Sequence, residues 1–299
     1  MMPCASWRSV LCDERGWAAA MKLGDLEFHI LNDGTFGLDG GAMFGVIPRP
    51  MWERVAPPDD RNRIRLRMNS LLIRSAEKLI LVETGAGDKF DAKRQEIYKL
   101  QGTRLPEHLA ARGVKPEQVN IVVNTHLHFD HCGWNTRMTE GKLAPTFPNA
   151  LYVTQRGELE HARHPSERDR ASYFAENFEP MAKTGQWSLI DKDIEEIAPG
   201  VQLIRAPGHN RDMMCVRLTG GGQTAMLLAD LVPTTAHLPL PWIMGFDLYP
   251  METLENKRKW IPEVVGGDWL AIFAHDPNVA AARLRERDGK VVAEPVQVD

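Results

Sequence analysis

"NTHLHFDHCGW", residues 124–134, decides the reading of this chain. Three histidines and an aspartate (His126, His128, Asp130 and His131) follow the apolar, β-branched run Ile121-Val122-Val123. That run reads as a buried strand. In extended backbone, residues two apart point to the same side, so His126 and His128 face one way and Leu127 the other. Asp130 and His131 are neighbours, so they point in different directions and can serve a second ion. Gly133 is expected to let the chain turn sharply. A lone histidine is ordinarily a surface or core residue. An H-x-H-x-D-H cluster at a strand exit is instead half of a first-row metal site.

A closed site needs further ligands, also at strand ends. His209 follows Leu203-Ile204-Arg205 and a Pro/Gly turn, Asp230 ends Ala225–Ala229, and His275 ends Leu270–Ala274. Each polar residue stands where a side chain can leave the core and enter a cleft. Taken singly, each is an ordinary turn residue; together they complete a set of seven ligands.

The rest of the chain is consistent with a soluble metal enzyme. It has 299 residues, 43% hydrophobic and 25% charged, with a net charge of -4. No apolar stretch of about 18 residues suggests a membrane span. The acidic balance argues against a nucleic-acid partner, which favours a basic face. Four cysteines (Cys4, Cys12, Cys132, Cys215) show no CxxC spacing, so a disulfide framework is not supported and a cytoplasmic location is expected. Residues 1–20 are read as a disordered tail or an upstream start, and residues 21–299 as one domain.

Short strands interleave with helices. Strands are expected at 23–31, 64–73, 78–83, 120–124, 150–154, 201–205, 214–218, 224–229 and 269–274, and helices at 103–112, 155–163, 167–179 and 251–261. Asn32-Asp33-Gly34 and Gly220-Gly221-Gly222 read as hairpin turns. Locally paired strands followed by helices suggest two sheets packed face to face with helices outside. The alternation over Arg61–Met68 reads as a half-buried strand with a solvated arginine face, rather than a phosphate ladder.

The ligand pattern and its order resemble the metallo-β-lactamase superfamily from about residue 21 onward. The strings "LDGGAMFGVIPRPMW" (38–52), "FPNA" (147–150), "LADLVPTTAH" (ending at His237) and "WIMGFDLYPM" (242–251) are similar to the YtnP-like branch of quorum-quenching N-acyl-homoserine lactonases. Methyl parathion hydrolase is a more distant likeness. The resemblance implies an α/β fold, a four-layer αβ/βα sandwich. It implies one ion held by His126, His128 and His209, a second held by Asp130, His131 and His275, and Asp230 bridging both. It implies zinc, with manganese, iron or cobalt as alternatives, and a homodimer among the assemblies the family forms. β-Lactamases of this fold lack the bridging carboxylate, and His128 stands where di-iron relatives carry glutamate.

Three positions depart from the family pattern. Met213 replaces the second histidine after His209, Glu83 replaces the usual aspartate before Thr84-Gly85, and Pro233 stands where lactonases carry a lactone-polarising tyrosine.

The expected activity is therefore metal-dependent hydrolysis, most concretely opening of an N-acyl-homoserine lactone. Two cations sharing one hydroxide would supply the nucleophile, and Asp130 is the catalytic acid–base candidate. Phosphotriester or phosphodiester hydrolysis is the alternative; a thioesterase or a non-catalytic metal protein ranks lower. A small-molecule lactone or ester is the expected partner, with no membrane. Tyr249, His237, Trp242 and Phe246 are candidate substrate residues, together with Trp134 and Phe147, and Tyr249 is the candidate to replace the missing tyrosine. Cys132 is read as a small buried residue.

Overall fold

A computed structural model describes residues 20–298. The reading of residues 1–20 as a tail thus lies, apart from Ala20, outside the described residues. In chain order the strands are β1 (Met21–Leu23), β2 (Leu26–Asp39), β3 (Arg63–Ser75), β4 (Lys78–Val82), β5 (Ile121–Val123), β6 (Thr136–Thr139), β7 (Lys142–Pro145), β8 (Leu151–Gln155), β9 (Trp187–Ile190), β10 (Ile194–Ala198), β11 (Val201–Arg205), β12 (Met214–Gly220), β13 (Gln223–Leu227), β14 (Leu270–Ile272), β15 (Ala281–Arg287) and β16 (Lys290–Pro295). One sheet has the order β1-β2-β3-β4-β5-β8-β9 and the other runs β10 through β16 in sequence, while β6 and β7 form a separate hairpin.

Side-chain alternation builds the layers. Ile80 and Val82 point between the sheets, as do Ile121, Val123, Ala225, Leu227 and Ile272. The intervening Leu81 and Val122 point outward, against Leu105, Leu109 and Leu159 of the flanking helices. Met226 and Ala271 do the same on the second sheet, against Trp260, Ile261 and Val264. Strands buried on both faces read as continuous apolar runs, which is why these segments show no polar face. The result is the expected four-layer sandwich.

Strand direction then places the site. β4, β5 and β8 run parallel, as do β13 and β14. Their C-terminal ends open on one edge of the sandwich, a common position for sites in α/β sheets. Backbone hydrogen bonds close the two sheets there: Met214 N–H to Thr125 O at 3.0 Å, Asn69 N–H to Ala274 O at 2.9 Å, and Arg67 N–H to His275 O at 3.0 Å.

The structure corrects several sequence expectations. Asn32-Asp33-Gly34 is not a hairpin turn: β2 runs through it with a bulge against β3. Asp33 is fully buried, and its carboxylate accepts from Ala86 N–H, Leu105 N–H and Trp134 Nε1–H. The extra residue of the bulge aims that carboxylate inward to collect distant donors. The first expected strand is in fact a hairpin of β1 with the start of this long strand. Residues 167–179 hold two short 3₁₀ turns instead of a helix. The Gly221-Gly222 hairpin does form, with φ of 56° and 74°. The helix expected at 251–261 runs Pro250–Gly266. In β3, Ile64, Leu66 and Met68 are buried while Arg65 is exposed, and Arg63 pairs with Asp59 at 2.8 Å.

Candidate metal centre

All seven residues named from the sequence meet at that edge. His126 and His128 sit in the segment leaving β5, which bends at Thr125 and His126, and Asp130 and His131 in the single helical turn Phe129–Cys132. His209 follows β11, Asp230 follows β13 and His275 follows β14. Their ligand atoms form three groups, each within 4.8 Å: His126/His128/His209, His126/His131/Asp230 and Asp130/His131/His275. His128 Nδ1 lies 3.1 Å from His126 Nε2 and 3.0 Å from His209 Nε2. His275 Nε2 lies 3.0 Å from His131 Nε2. Asp230 stands between the two sets. Its Oδ2 is 3.3 Å from His209 Nε2 and 4.0 Å from His126 Nε2, while Oδ1 is 3.0 Å from His275 Nε2 and 3.5 Å from His131 Nε2. Asp130 Oδ2 is 3.6 Å from His275 Nε2.

Hydrogen bonding alone does not satisfy this cluster. His209 Nδ1 faces Asp247 Oδ1 at 3.0 Å and His275 Nδ1 faces Arg67 O at 2.7 Å. Both partners accept, so each imidazole proton sits on Nδ1 and each Nε2 is bare. Those bare nitrogens face other nitrogens and Asp230. Asp230 Oδ1 and His128 Nε2 are buried with no hydrogen bond among the described residues. Lone pairs turned on lone pairs call for cations. Nitrogen separations of 3.0 to 3.1 Å are close to the roughly 3.3 Å edge of a tetrahedron with metal–nitrogen bonds near 2.0–2.1 Å. The residues present fit a two-cation centre.

The titration tendencies divide the cluster. Burial, then the neighbouring imidazoles, pushes His126 and His128 well below the ordinary histidine range, so both stay neutral. Burial also opposes the charged forms of His131 and Asp230, but their mutual attraction and further neighbours outweigh it. His131 is raised well above its usual value by Asp230, Asp130 and Glu83, and Asp230 is held well below its own by His275, His131 and His209.

A surrounding shell fixes the side chains. Glu83 Oε1 accepts from Thr125 N–H at 3.1 Å, and its Oε2 lies 3.4 Å from His131 Nδ1. Thr125 Oγ1 is 3.1 Å from His126 Nδ1. Glu158 Oε1 accepts from Leu127 N–H at 2.7 Å and from Tyr173 O–H at 3.2 Å, and the Tyr173 ring packs edge-on against His128 at 4.7 Å. Two non-glycine residues beside the centre hold left-handed backbone, Glu83 at φ 63° and Ala229 at φ 46°. Such strain persists only where packing over-determines it.

Gly133 is needed for a different reason than the expected sharp turn. Its backbone is ordinary right-handed helix, φ -61°. A Cβ there would lie 1.9 Å from Ala86 C and 2.5 Å from Gly87 N, so the residue lets two backbones touch beside the centre.

A cleft of about 400 Å³ opens over the cluster. His128, Asp130, His209, Asp230 and His275 form its floor. Leu38, Met43, Leu66, Phe129, Met244 and Phe246 supply its apolar lining, and Tyr98, Arg168, Asp169 and Ser172 add polar groups.

Of the expected substrate residues, Phe246 lines this cleft. Tyr249 does not; its hydroxyl accepts from Arg211 Nη2 at 3.2 Å. His237 is buried, with Nε2 at 2.8 Å from Met43 O and its ring stacked on Phe44, so it braces the wall from behind. Trp242 packs on Phe44, while Trp134 and Phe147 belong to the core beneath the first sheet. Cys132 is buried, its Sγ directed at Leu127 O. Asp247, Glu158 and Tyr98 are the site residues that sequence reasoning missed. Asp247 carried a signal, being a single carboxylate inside the apolar run "WIMGFDLYPM". Tyr98 carried none.

Residues 65–290 match the metallo-β-lactamase superfamily model, and the chain belongs to that family. It is 31% identical over 160 residues to an N-acyl homoserine lactonase of Bacillus cereus, a match covering 50% of this chain and 57% of that one. Matches to such lactonases span from about half to under two-thirds of their length. Among solved structures, a probable metal-dependent hydrolase from Staphylococcus aureus is 28% identical with a TM-score of 0.84, covering 93% of this chain and all of that one. The dizinc quorum-quenching lactonase AidC, in complex with a product, shares the fold at a TM-score of 0.76 and 20% identity, over 94% of this chain and 97% of its own. Among the described residues no helix is long and apolar enough to cross a membrane.

Proposed function

We propose that the protein is a dinuclear metal-dependent hydrolase that opens N-acyl-homoserine lactones or closely similar lactones. The observation that carries this reading is Asp230, with one carboxylate oxygen toward each imidazole set, on the floor of a cleft with an apolar wall. Likeness to proteins named N-acyl homoserine lactonases supports it.

Zinc is the proposed metal, as in the dizinc neighbour. His126, His128 and His209 would hold one cation, Asp130, His131 and His275 the other, and Asp230 both. Bound there, the pair would supply an activated water at neutral pH and a Lewis acid for the substrate carbonyl.

The chain's own residues do the rest. Asp247 and Arg67 O fix the tautomers of His209 and His275. Asp230 would provide the negative charge that keeps two like-charged cations together. Asp130 opens into the cleft and takes the proton role, delivering it to the alkoxide that ring opening releases and tethers. Leu66, Met244 and Phe246 exclude water and receive an acyl tail. A cytoplasmic setting is part of the proposal, supported by the unpaired buried thiols of Cys132 and Cys215.

The test is turnover by metal-supplemented protein on homoserine lactones from four to twelve acyl carbons, read with a pH indicator, beside a paraoxon-like panel. Lactone turnover that rises with chain length is expected. Robust phosphotriester turnover with no lactone opening would favour the alternative, although Arg61, Arg63, Arg65 and Arg67, the arginines that could have served it, do not line the cleft.

A further inference from the structure

Part of the apolar wall, Met244 and Phe246, stands on a loop with little structure of its own. Residues 238–249 contain no helix or strand, yet they carry Met244, Gly245 and Phe246 into the cleft. Their main-chain carbonyls are gathered by one side chain. Lys257, fully buried on the helix Pro250–Gly266, donates from Nζ to Pro239 O at 2.7 Å, Trp242 O at 2.9 Å and Leu240 O at 3.2 Å. An ammonium has three donors, and all three are used. Burial is costly enough to pull Lys257 down to about 7, and the three carbonyl contacts offset part of that cost.

Exposed Arg168, which also lines the cleft, donates from Nη2 to Gly245 O at 2.5 Å. The far end of the loop is tied separately. Leu248 N–H reaches His209 O, Tyr249 N–H reaches Gly208 O, and Thr253 holds Asp247. The stretch 239–246 has two further backbone ties, Gly245 N–H to Ala42 O and Asp247 N–H to Met244 O, while the Asp247 carboxylate that faces His209 is held from outside it by Thr253.

We propose that Lys257 and Arg168 are positioning residues that clasp the 239–246 wall and thereby set how long an apolar chain the cleft accepts. The inference deepens the lactonase reading by naming what governs tail length. It predicts a split. Loosening the wall weakens binding of long chains, at roughly fourfold for each methylene withdrawn from contact, and leaves the chemistry at the metals alone.

The test uses metal-loaded protein with Lys257→Met, which keeps the apolar stem, and Arg168→Ala, an exposed change that does not threaten folding. Hydrogen exchange of 239–246 should rise about tenfold or more in Lys257→Met and less in Arg168→Ala. In Lys257→Met, which does not touch the cleft lining, KM for a ten-carbon acyl lactone should rise about tenfold, with kcat, metal content and KM for a four-carbon lactone within about twofold. Calorimetry with decanoate and butanoate should show the same preference without turnover. A protein that opens no lactone would defeat the proposed function, while exchange and alkanoate binding would still decide the clasp. Unchanged exchange in both variants, or raised exchange with unaltered chain-length preference, would overturn the inference. So would a fall in kcat accompanied by metal loss.

Discussion

Asp247→Ala removes a group that touches no reacting atom, yet the geometry gives it a measurable role. Its Oδ1 holds His209 Nδ1 at 3.0 Å and its Oδ2 accepts from Thr253 Oγ1 at 2.6 Å, all of them buried. Losing such an orienting carboxylate typically weakens metal binding by about 10- to 100-fold, or about 1.4 to 2.7 kcal/mol. The freed imidazole N–H and threonine hydroxyl cost the fold about 1–3 kcal/mol each.

A second effect has the opposite sign. Burial lowers the His209 pKa, but Asp230 and Asp247 outweigh it and raise His209 above its ordinary value. The proton therefore competes with the cation as pH falls, and the substitution should relieve that competition. At pH well above the histidine range the competition vanishes and only orientation remains. Chelator competition at about pH 8.5 should thus show the 10- to 100-fold weakening, and a smaller difference near pH 6. Affinity within twofold of the unsubstituted protein at the higher pH would refute the orienting role.

Gly133→Ala should cost more than about 3 kcal/mol, because the new Cβ meets backbone atoms that cannot rotate away; a urea midpoint within error of the parent would contradict it. Glu158 is pushed up to about 7 by burial, chiefly, against the hydrogen bonds that favour its charge. A folded pKa above the usual 4.5 means that stability present at low pH is lost as pH rises through about 7, by roughly 3–4 kcal/mol in all. Glu158→Gln in chelator-stripped protein should flatten that component, so its stability relative to the parent improves from pH 5.5 to 8; a constant difference would show the carboxyl to be ionised throughout.

The candidate ligands were readable because each is a polar residue directly behind an apolar strand, and four of them are nearly contiguous. The layers were readable for a related reason: Ile80-Leu81-Val82 and Ile121-Val122-Val123 are apolar without interruption, as strands covered on both faces must be. Asn32-Asp33-Gly34 misled because its local turn propensity is real, but three donors distant in sequence claim Asp33 and keep the strand going. The stretch 167–179 misled because Tyr173 and Phe174 turn toward His128 and Phe129, which breaks the helix its composition suggests. The aromatic residues were the least legible. Trp134 and Phe246 are equally apolar in sequence, and only tertiary packing sends one to the core and the other to the cleft.

The central claim is a two-cation centre joined by Asp230, and counting ions tests it most directly. Protein purified without chelator and saturated with zinc should hold about two ions per chain by elemental analysis, and Asp230→Ala no more than about one. A parent that saturates at one ion, or an Asp230→Ala variant that keeps two at full affinity, would contradict the account.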